Sequence, residues 1–488
     1  LNSLFNMLLK DILKGIKLLG TTGSLNTMIS GLAYDSRKVE RGSLFFALSG
    51  LNMDGHLFIE SALENGARAI VQERTLNPNI DVVQIQVSDC RRALPIAAEN
   101  FYYHPSHKLM LIGVTGTDGK TSICRLLHSI LSRYGSIGLM GTVGNIILGH
   151  HQNATRTTPE ALEINRNLSL LIQGGAYAAV MEVSSHALTM RRTDRLDFDL
   201  AVYSNLSPEH LDFHRDMEDY FKAKASLFSE LKPTAKAVLN LDDHYGNKLK
   251  EIASCPVIGY SLKDKNAPVF GEIISDDMDG IRLNVYYDNE VIDLHSQLFG
   301  IPNAYNIIAA AAAALSANCT IEAIKAGVAE FKGVKGRFEP IDCGKFITII
   351  DYAHTPQAVD SLLKVLRSLA KGKLHIVFGC GGDRDKGKRP LMAEAAEEGA
   401  DEIYITSDNP RSEPLIKIIE DIVMGLKRPK DATVIPDRRE AIITALNSAG
   451  EGDIVALAGK GHENYQIIEG VFHHFDDHEI VDEWLAKR

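Results

Sequence analysis

Positive charge, long apolar runs and paired cysteines are all scarce in this chain of 488 residues. Acidic side chains outnumber basic ones, 63 to 52, for a net charge of −11. That balance argues against a nucleic-acid binder working by broad counterion release. It leaves an anionic substrate open, because a few local cations outweigh net charge inside a cleft. The six cysteines (Cys90, Cys124, Cys255, Cys319, Cys343, Cys380) show no C-x-x-C spacing. They read as free thiols of a reducing compartment, not as a disulfide framework. The longest apolar stretch, 307–315, is mostly alanine and is about half of what a membrane span needs. Lys10, Asp11, Lys14 and Lys17 lie among leucines and isoleucines in amphipathic spacing, with neither the apolar core nor the small-residue cleavage site of a signal peptide. A cytoplasmic protein with no membrane or nucleic-acid partner is expected.

Repeats, low-complexity tracts and Pro/Ser-rich linkers are also missing, so domain joints must come from changes of pattern. Composition is ordinary for a globular chain, 45% hydrophobic and 24% charged, and the length suggests about three domains. Apolar runs of strand length recur at 109–114, 178–183, 200–203, 237–241, 346–350, 374–378, 402–406 and 454–458, each followed by polar or Gly-rich turns and then a helical pattern. Continuous apolar runs suit strands buried on both faces of a parallel sheet, which makes the fold class α/β. One joint falls near His104-Pro105-Ser106-His107 and another near Gly333-Val334-Lys335-Gly336-Arg337. The expected domains are 1–107, 108–336 and 337–488.

The strongest local signal is Gly113-Val114-Thr115-Gly116-Thr117-Asp118-Gly119-Lys120-Thr121-Ser122, between a strand and a helix expected over 123–131. Glycines let backbone N–H groups wrap phosphate oxygens, the helix N-terminus adds positive potential, and Lys120 neutralises further charge. Thr121 has the position from which a hydroxyl coordinates Mg²⁺. The pattern is not a strict Walker A, since Val114 stands where its first glycine belongs. Glu182, in Met181-Glu182-Val183-Ser184-Ser185-His186, ends a strand and could hold a metal or simply an ion pair. Ser204-Asn205-Leu206-Ser207-Pro208-Glu209-His210-Leu211-Asp212-Phe213-His214 reads equally as ligands or as a polar loop. Spacing alone gives the lysines of Tyr220-Phe221-Lys222-Ala223-Lys224 no role. Three more polar loops follow strands in the last third: 379–389 with four cationic side chains, Asp408-Asn409-Pro410-Arg411, and Gly459-Lys460-Gly461-His462-Glu463. Together they point towards one crevice.

At these residues the sequence resembles the Mur ligases, over essentially the whole chain. The carriers are 115–121, 182–186, 205–207 with His210-Leu211-Asp212, Asn303-Ala304-Tyr305-Asn306, Gly336-Arg337-Phe338-Glu339, Asp351-Tyr352-Ala353-His354 and the three C-terminal loops. The resemblance implies a small α/β N-terminal domain that binds UDP, a central P-loop ATPase domain with a mostly parallel sheet, and a Rossmann-like C-terminal domain that binds an amino acid. It implies an ATP-dependent amide-bond ligase of peptidoglycan precursor synthesis, expected to act as a monomer, with Mg²⁺ as cofactor. The D-glutamate γ-carboxylate of UDP-N-acetylmuramoyl-L-alanyl-D-glutamate would be phosphorylated by ATP, and an amine of meso-2,6-diaminopimelate would attack the acyl phosphate.

By resemblance the catalytic residues are Lys120, Glu182, His210 and Lys224. Gly116, Thr117, Asp118, Gly119, Lys120, Thr121 and Ser122 hold the ATP phosphates, while Asn306, Arg337 and Asp351 contact base, phosphate and ribose. Thr121 and Glu182 would hold one Mg²⁺, and His210 and a carbamylated Lys224 a second. Tyr34 and Ser36, within Tyr34-Asp35-Ser36-Arg37, match the UDP-binding region, as does Asp54-Gly55. Thr157, Thr158, Ser184 and Arg192 match contacts to the muramoyl dipeptide. Arg384, Asp408, Asn409, Pro410, Arg411, Gly459 and Glu463 match the diaminopimelate pocket. Arg411 would take the carboxylate that L-lysine lacks, and a pocket built round such a group discriminates by roughly 10⁴–10⁵. Two departures stand out: Asp118 replaces the usual Asn, placing an acid near the anionic phosphates for Mg²⁺ or a neighbouring cation to offset, and Met190 stands where relatives can carry Gln. Competing readings are a lysine-adding relative, an ATP-driven switch or motor, and a binding protein inactivated at Asp118.

Overall fold

The computed structural model describes residues 6–50, 53–211, 213–277 and 279–487. The chain forms two compact units, one of Leu1–Asn205, Glu218–Tyr260 and Ala309–Ile324, the other of Leu206–Met217, Ser261–Ile308 and Lys325–Arg488.

The first unit opens with a five-stranded sheet in the order Leu18–Thr22, Val83–Val87, Ala69–Gln72, Ser43–Phe46, Gly31–Ala33. Its first pair is antiparallel and the rest are parallel. Phe46, Val71 and Ile85 pack against Leu94, Ala97 and Phe101 of the helix Cys90–Phe101, on which apolar residues recur at helical spacing. Asp89 caps that helix, accepting from the N–H groups of Arg91 and Arg92.

The larger sheet of this unit runs His150–Gln152, Asn145–Ile147, Ile137–Met140, Ala178–Glu182, Met110–Thr115, Leu200–Tyr203, Lys236–Asn240, Val257–Ser261. Among these eight strands pairing is parallel from Ile137–Met140 onwards and antiparallel at the His150–Gln152 edge. Met110–Thr115 is early in sequence yet central in space, flanked by Ala178–Glu182 and Leu200–Tyr203. Strand order reverses there, and the carboxyl ends of these three strands define the crevice in which open α/β sheets bind ligands. The α/β reading is borne out, with strand ends within a residue or two of those expected. The helix expected over 123–131 instead begins three residues earlier, as Lys120–Leu131. Gly119 supplies a left-handed φ of 83° at its N-cap, so Lys120, Thr121 and Ser122 form the first turn and leave their N–H groups free of intrahelical partners.

In the second unit a six-stranded sheet runs Glu339–Asp342, Ile347–Asp351, Ile454–Ala458, Leu374–Phe378, Glu402–Ile405, Ala432–Val434. Only the first pair is antiparallel, which is the Rossmann-like arrangement expected. The same unit carries an antiparallel meander, Val269–Asp277, Gly280–Tyr287, Glu290–Ser296. The alanines at 309–314 are wholly buried in the helix Ile301–Ser316. Among the described residues no helix is long and apolar enough to cross a membrane.

Candidate active site

Register fixes the first cluster. Glu182 pairs with Val114, and Tyr203 with Thr115, so three strand ends deliver their next residues to one level. Gly116 follows with φ 152°, and a Cβ on it would stand 1.8 Å from Ser204 Oγ, so only glycine fits. The loop is tied to its neighbour. Thr117 N donates to Asn205 O at 2.9 Å, Asp118 N to Asn205 Oδ1 at 2.9 Å, and Ser204 Oγ to Asp118 O at 2.5 Å. Lys120 Nζ donates to the carbonyls of Gly116 (2.9 Å) and Thr117 (2.6 Å), which places its charge across the mouth of the loop.

Glu182 is 2% exposed and almost fully engaged. Its Oε1 accepts from Thr121 Oγ1 (3.0 Å) and Thr142 N (2.8 Å), and its Oε2 from Thr142 Oγ1 (2.9 Å). Thr142 Oγ1 also reaches Thr157 Oγ1 at 3.1 Å. Thr158 Oγ1 donates to Glu182 O, receives Ser184 N at 3.0 Å and lies 3.2 Å from Ser184 Oγ. Arg192 reaches Thr158 O and pairs with Glu160 at 2.9 Å; burial pulls its guanidinium below its usual range, against Glu160. Thr121, Thr157, Thr158, Glu182, Ser184 and Arg192, expected from separate stretches of sequence, thus meet in one network.

Lys224, 1% exposed, lies mid-helix in Met217–Ser229. Its Nζ donates to Gly116 O at 2.7 Å and stands 4.7 Å from the centroid of the Tyr220 ring. Tyr220 OH is in turn 3.1 Å from Thr117 Oγ1. Lys224 therefore sits under the phosphate loop, a role that its spacing did not reveal.

Tyr34 and Asp35 line a cavity of about 280 Å³ with Lys38, Glu163 and Arg166. Tyr34 OH donates to Glu163 Oε1 at 2.7 Å, and burial, helped by that carboxylate, pushes the phenol upward. Ser36 is buried in the next turn. Asp54 accepts from His56 N and pairs with Arg74.

The second unit holds the remaining residues. His210, at φ 58°, pairs with Glu209 at 3.6 Å; Asp212 of the same motif lies outside the described residues. Asn306 Nδ2 donates to Asn303 Oδ1 at 3.3 Å. Arg337 stacks on Tyr352, 4.4 Å from its centroid, and its buried Nε has no partner among the described residues. Asp351 takes Phe338 N (2.7 Å) and Ala353 N (2.8 Å) on its two oxygens, fixing the turn after its strand.

The three polar loops do converge. Asn409 Nδ2 donates to Glu463 Oε2 at 2.9 Å, and Tyr352 OH reaches Glu463 Oε1 at 3.4 Å. Arg411, held at φ 53°, donates from its NH1 to Gly382 O of the 379–389 loop at 2.8 Å. Gly459, at φ 110°, lies beside Asp408, whose Oδ2 would be in ordinary contact with a Cβ at 3.5 Å. Arg384 is on the exposed rim, with NH1 3.3 Å from Asp383 O. Pro410 continues the Asn409 turn, its carbonyl receiving Glu413 N.

Several supporting residues were missed. Lys460 is fully buried, 3.5 Å from both Asp408 Oδ1 and Glu463 Oε2, and so sets their spacing. Arg438 binds Asp477 through two contacts of 2.9 and 2.7 Å and reaches Ser407 O and Ala458 O, the residues just before two of the loops. Thr142 belongs to an unremarkable turn. Local sequence carries no signal for the last two.

Comparison with known proteins matches residues 28–102 to the Mur ligase family, catalytic domain, 114–314 to the Mur ligase middle domain, and 336–461 to the Mur ligase, glutamate ligase domain. The chain is 42% identical over 484 residues, 99% of both chains, to the UDP-N-acetylmuramoyl-L-alanyl-D-glutamate–2,6-diaminopimelate ligase of Caldanaerobacter subterraneus subsp. tengcongensis. It is 44% identical to that of Geobacillus thermodenitrificans, over 95% of this chain and 96% of the other. A solved structure of a ligase of the same name superposes with a TM-score of 0.69 at 35% identity, covering 99% of each chain. The fold extends to the MurF ligase of Thermotoga maritima in complex with ADP, at TM-score 0.65, 20% identity and coverage of 93% and 97%.

Proposed function

The chain belongs to the Mur ligase family, and on that premise we propose that it joins meso-2,6-diaminopimelate to UDP-N-acetylmuramoyl-L-alanyl-D-glutamate with consumption of ATP, in peptidoglycan precursor synthesis. The observation that carries the reading is the 42% identity, over 99% of both chains, to a ligase named for that reaction. The site chemistry agrees with it. Phosphoryl transfer between two anions depends on cations that offset repulsion and on positioning, and the phosphate loop with Lys120 offers both.

Thr121 Oγ1 and Glu182 Oε1, 3.0 Å apart, form an all-oxygen donor pair of the kind Mg²⁺ selects. Bound there, Mg²⁺ would neutralise charge on the phosphates. Thr142 holds the Glu182 carboxylate in place through both oxygens. His210 and Lys224, the latter once carbamylated, are each proposed as a metal ligand. Carbamylation needs the neutral amine, and the product keeps one N–H, so the hydrogen bond from Lys224 to Gly116 O would survive the change of charge. Arg337 and Asp351 are assigned to phosphate and ribose, Asn306 to the base, Tyr34 and Ser36 to the uridine diphosphate, and Thr157, Thr158, Ser184 and Arg192 to the muramoyl dipeptide. In the amino-acid pocket Arg411 would bind the distal carboxylate, Arg384 the other, and Glu463 an ammonium. The enzyme is taken to be a cytoplasmic monomer.

The test is phosphate release from Mg-ATP by the purified protein, with and without the UDP-muramoyl dipeptide. Release that requires both the dipeptide and diaminopimelate supports the ligase. Release indifferent to the dipeptide would replace it with a switch or motor.

A further inference from the structure

Well away from the phosphate loop, the helix Cys90–Phe101 ends and the chain turns sharply into the strand Met110–Thr115. Tyr103 and His104 both take left-handed backbone angles, φ 58° and 54°, which non-glycine residues rarely adopt even singly. The turn folds His104 back onto Glu99, and the short 3₁₀ turn Pro105–His107 brings His107 to the same carboxylate. His104 Nδ1 lies 3.0 Å and His107 Nε2 3.5 Å from Glu99 Oε1. The Glu99 side chain is 3% exposed while both imidazoles are 51% exposed, so the cluster is anchored on one side and open on the other.

We propose that Glu99, His104 and His107 form a binding site for a zinc-class divalent cation that pins the segment joining the N-terminal sheet to the central one. All three ligand atoms lie within 4.8 Å of one another. Four-coordinate zinc with bonds of about 2.0–2.1 Å requires donor atoms about 3.3 Å apart, and the two distances to Glu99 Oε1 bracket that value. The outer contacts have the form metal sites use. His107 Nδ1, the nitrogen turned away from Glu99, faces Asp197 Oδ2 at 3.3 Å, as a ligating imidazole donates its other N–H to a carboxylate. Arg195 Nε binds Glu99 Oε2 at 2.9 Å and so leaves Oε1 as the single ligating oxygen. Asp197 is itself fixed by Lys232 at 2.9 Å, and Lys232 also holds Asp199 at 2.7 Å. Glu99 and His107 line a cavity of about 420 Å³, with room for a water as fourth ligand. On its wall the acids Glu99, Asp194, Asp197 and Glu230 outnumber Arg195 and Lys232, which favours a cation. Two imidazole donors select Zn²⁺, Co²⁺, Ni²⁺ or Cu²⁺ over Mg²⁺, so this site is distinct in chemistry from the all-oxygen pair at Thr121 and Glu182.

The untagged, full-length protein, stripped with a chelator, would be titrated with Co²⁺ while its visible spectrum is recorded, and then back-titrated with Zn²⁺. One equivalent of Co²⁺ should give the visible band of a nitrogen-ligated, low-coordinate site, which Zn²⁺ removes and excess Mg²⁺ does not. His104→Ala and His107→Gln should each weaken binding at least tenfold, and Asp197→Asn about tenfold, with dipeptide-dependent phosphate release in Mg²⁺ unchanged. One equivalent of Zn²⁺ should raise the melting temperature of the parent protein and not of His107→Gln. A parent protein with no such band up to about 100 μM Co²⁺, or variants that bind as the parent does, would overturn the proposal.

Discussion

Asp118 places an exposed carboxylate in the loop proposed to receive phosphate, and its backbone is tied down: N–H to Asn205 Oδ1, carbonyl to Ser204 Oγ. An Asn at this position keeps both of those backbone hydrogen bonds. Asp118→Asn should lower the KM for ATP about two- to fivefold, the equivalent of the roughly 0.5–1 kcal/mol an exposed charge contact contributes, and kcat should stay within twofold. Initial rates at varied ATP, at low and high salt, check this; the gain should shrink as salt rises. Lys224 illustrates the opposite case. Nothing in Tyr220-Phe221-Lys222-Ala223-Lys224 distinguishes its two lysines by spacing, yet Lys222 is exposed and Lys224 is buried beneath Gly116. Only the family resemblance singled out the correct one for a buried role.

At the scale of elements, the strands were legible because buried parallel strands are written as continuous apolar runs, and 200–203, 374–378 and 454–458 begin and end where those runs do. The helix after this loop starts three residues before its apolar pattern does because Lys120, Thr121 and Ser122 are polar, and polarity masks a first turn whose N–H groups face outward. What sequence could not show is how loops distant in the chain are braced against one another. The buried pair Arg438 and Asp477, 39 residues apart, ties together the chain just before two of the polar loops, at Ser407 and Ala458, and each residue alone reads as a surface charge. Arg438→Met leaves Asp477 buried without its partner and should destabilise the protein by about 3–5 kcal/mol. Adding Asp477→Leu should restore most of that loss. Urea unfolding of both variants measures it, and equal loss in the double variant would contradict the assignment.

For the molecule as a whole, charge sets an acid limit. Burial, reinforced by the cations Arg337 and Lys335, lowers His462 from 6.5 to about 4, and burial beside Arg125 lowers His128 equally. Both bind a proton more readily when unfolded, so their contribution is complete above pH 6.5 and is lost as pH falls towards 4. The carboxylates Glu413, held to about 2 by its hydrogen bond from Arg389, and Asp293, held to about 2 by Arg282, extend the loss from the ordinary carboxylate range downwards. His478 acts the other way: burial pulls it down, Glu339 raises it by more, and its stabilisation fades as pH rises. The urea midpoint should therefore fall between pH 7 and pH 4 and fall further at pH 3. A midpoint that is flat over the first interval would contradict the histidine account.

The central claim is a ligase that chooses its amino acid by a second carboxylate, and one competition assay addresses it. The protein is given Mg-ATP, UDP-N-acetylmuramoyl-L-alanyl-D-glutamate, and equal concentrations of meso-2,6-diaminopimelate and L-lysine, and the products are weighed by mass spectrometry. The account predicts the diaminopimelate tripeptide with lysine product below about one part in 10³, as expected of a pocket whose guanidinium is left unpaired when lysine binds. Lysine product in comparable amount would contradict it.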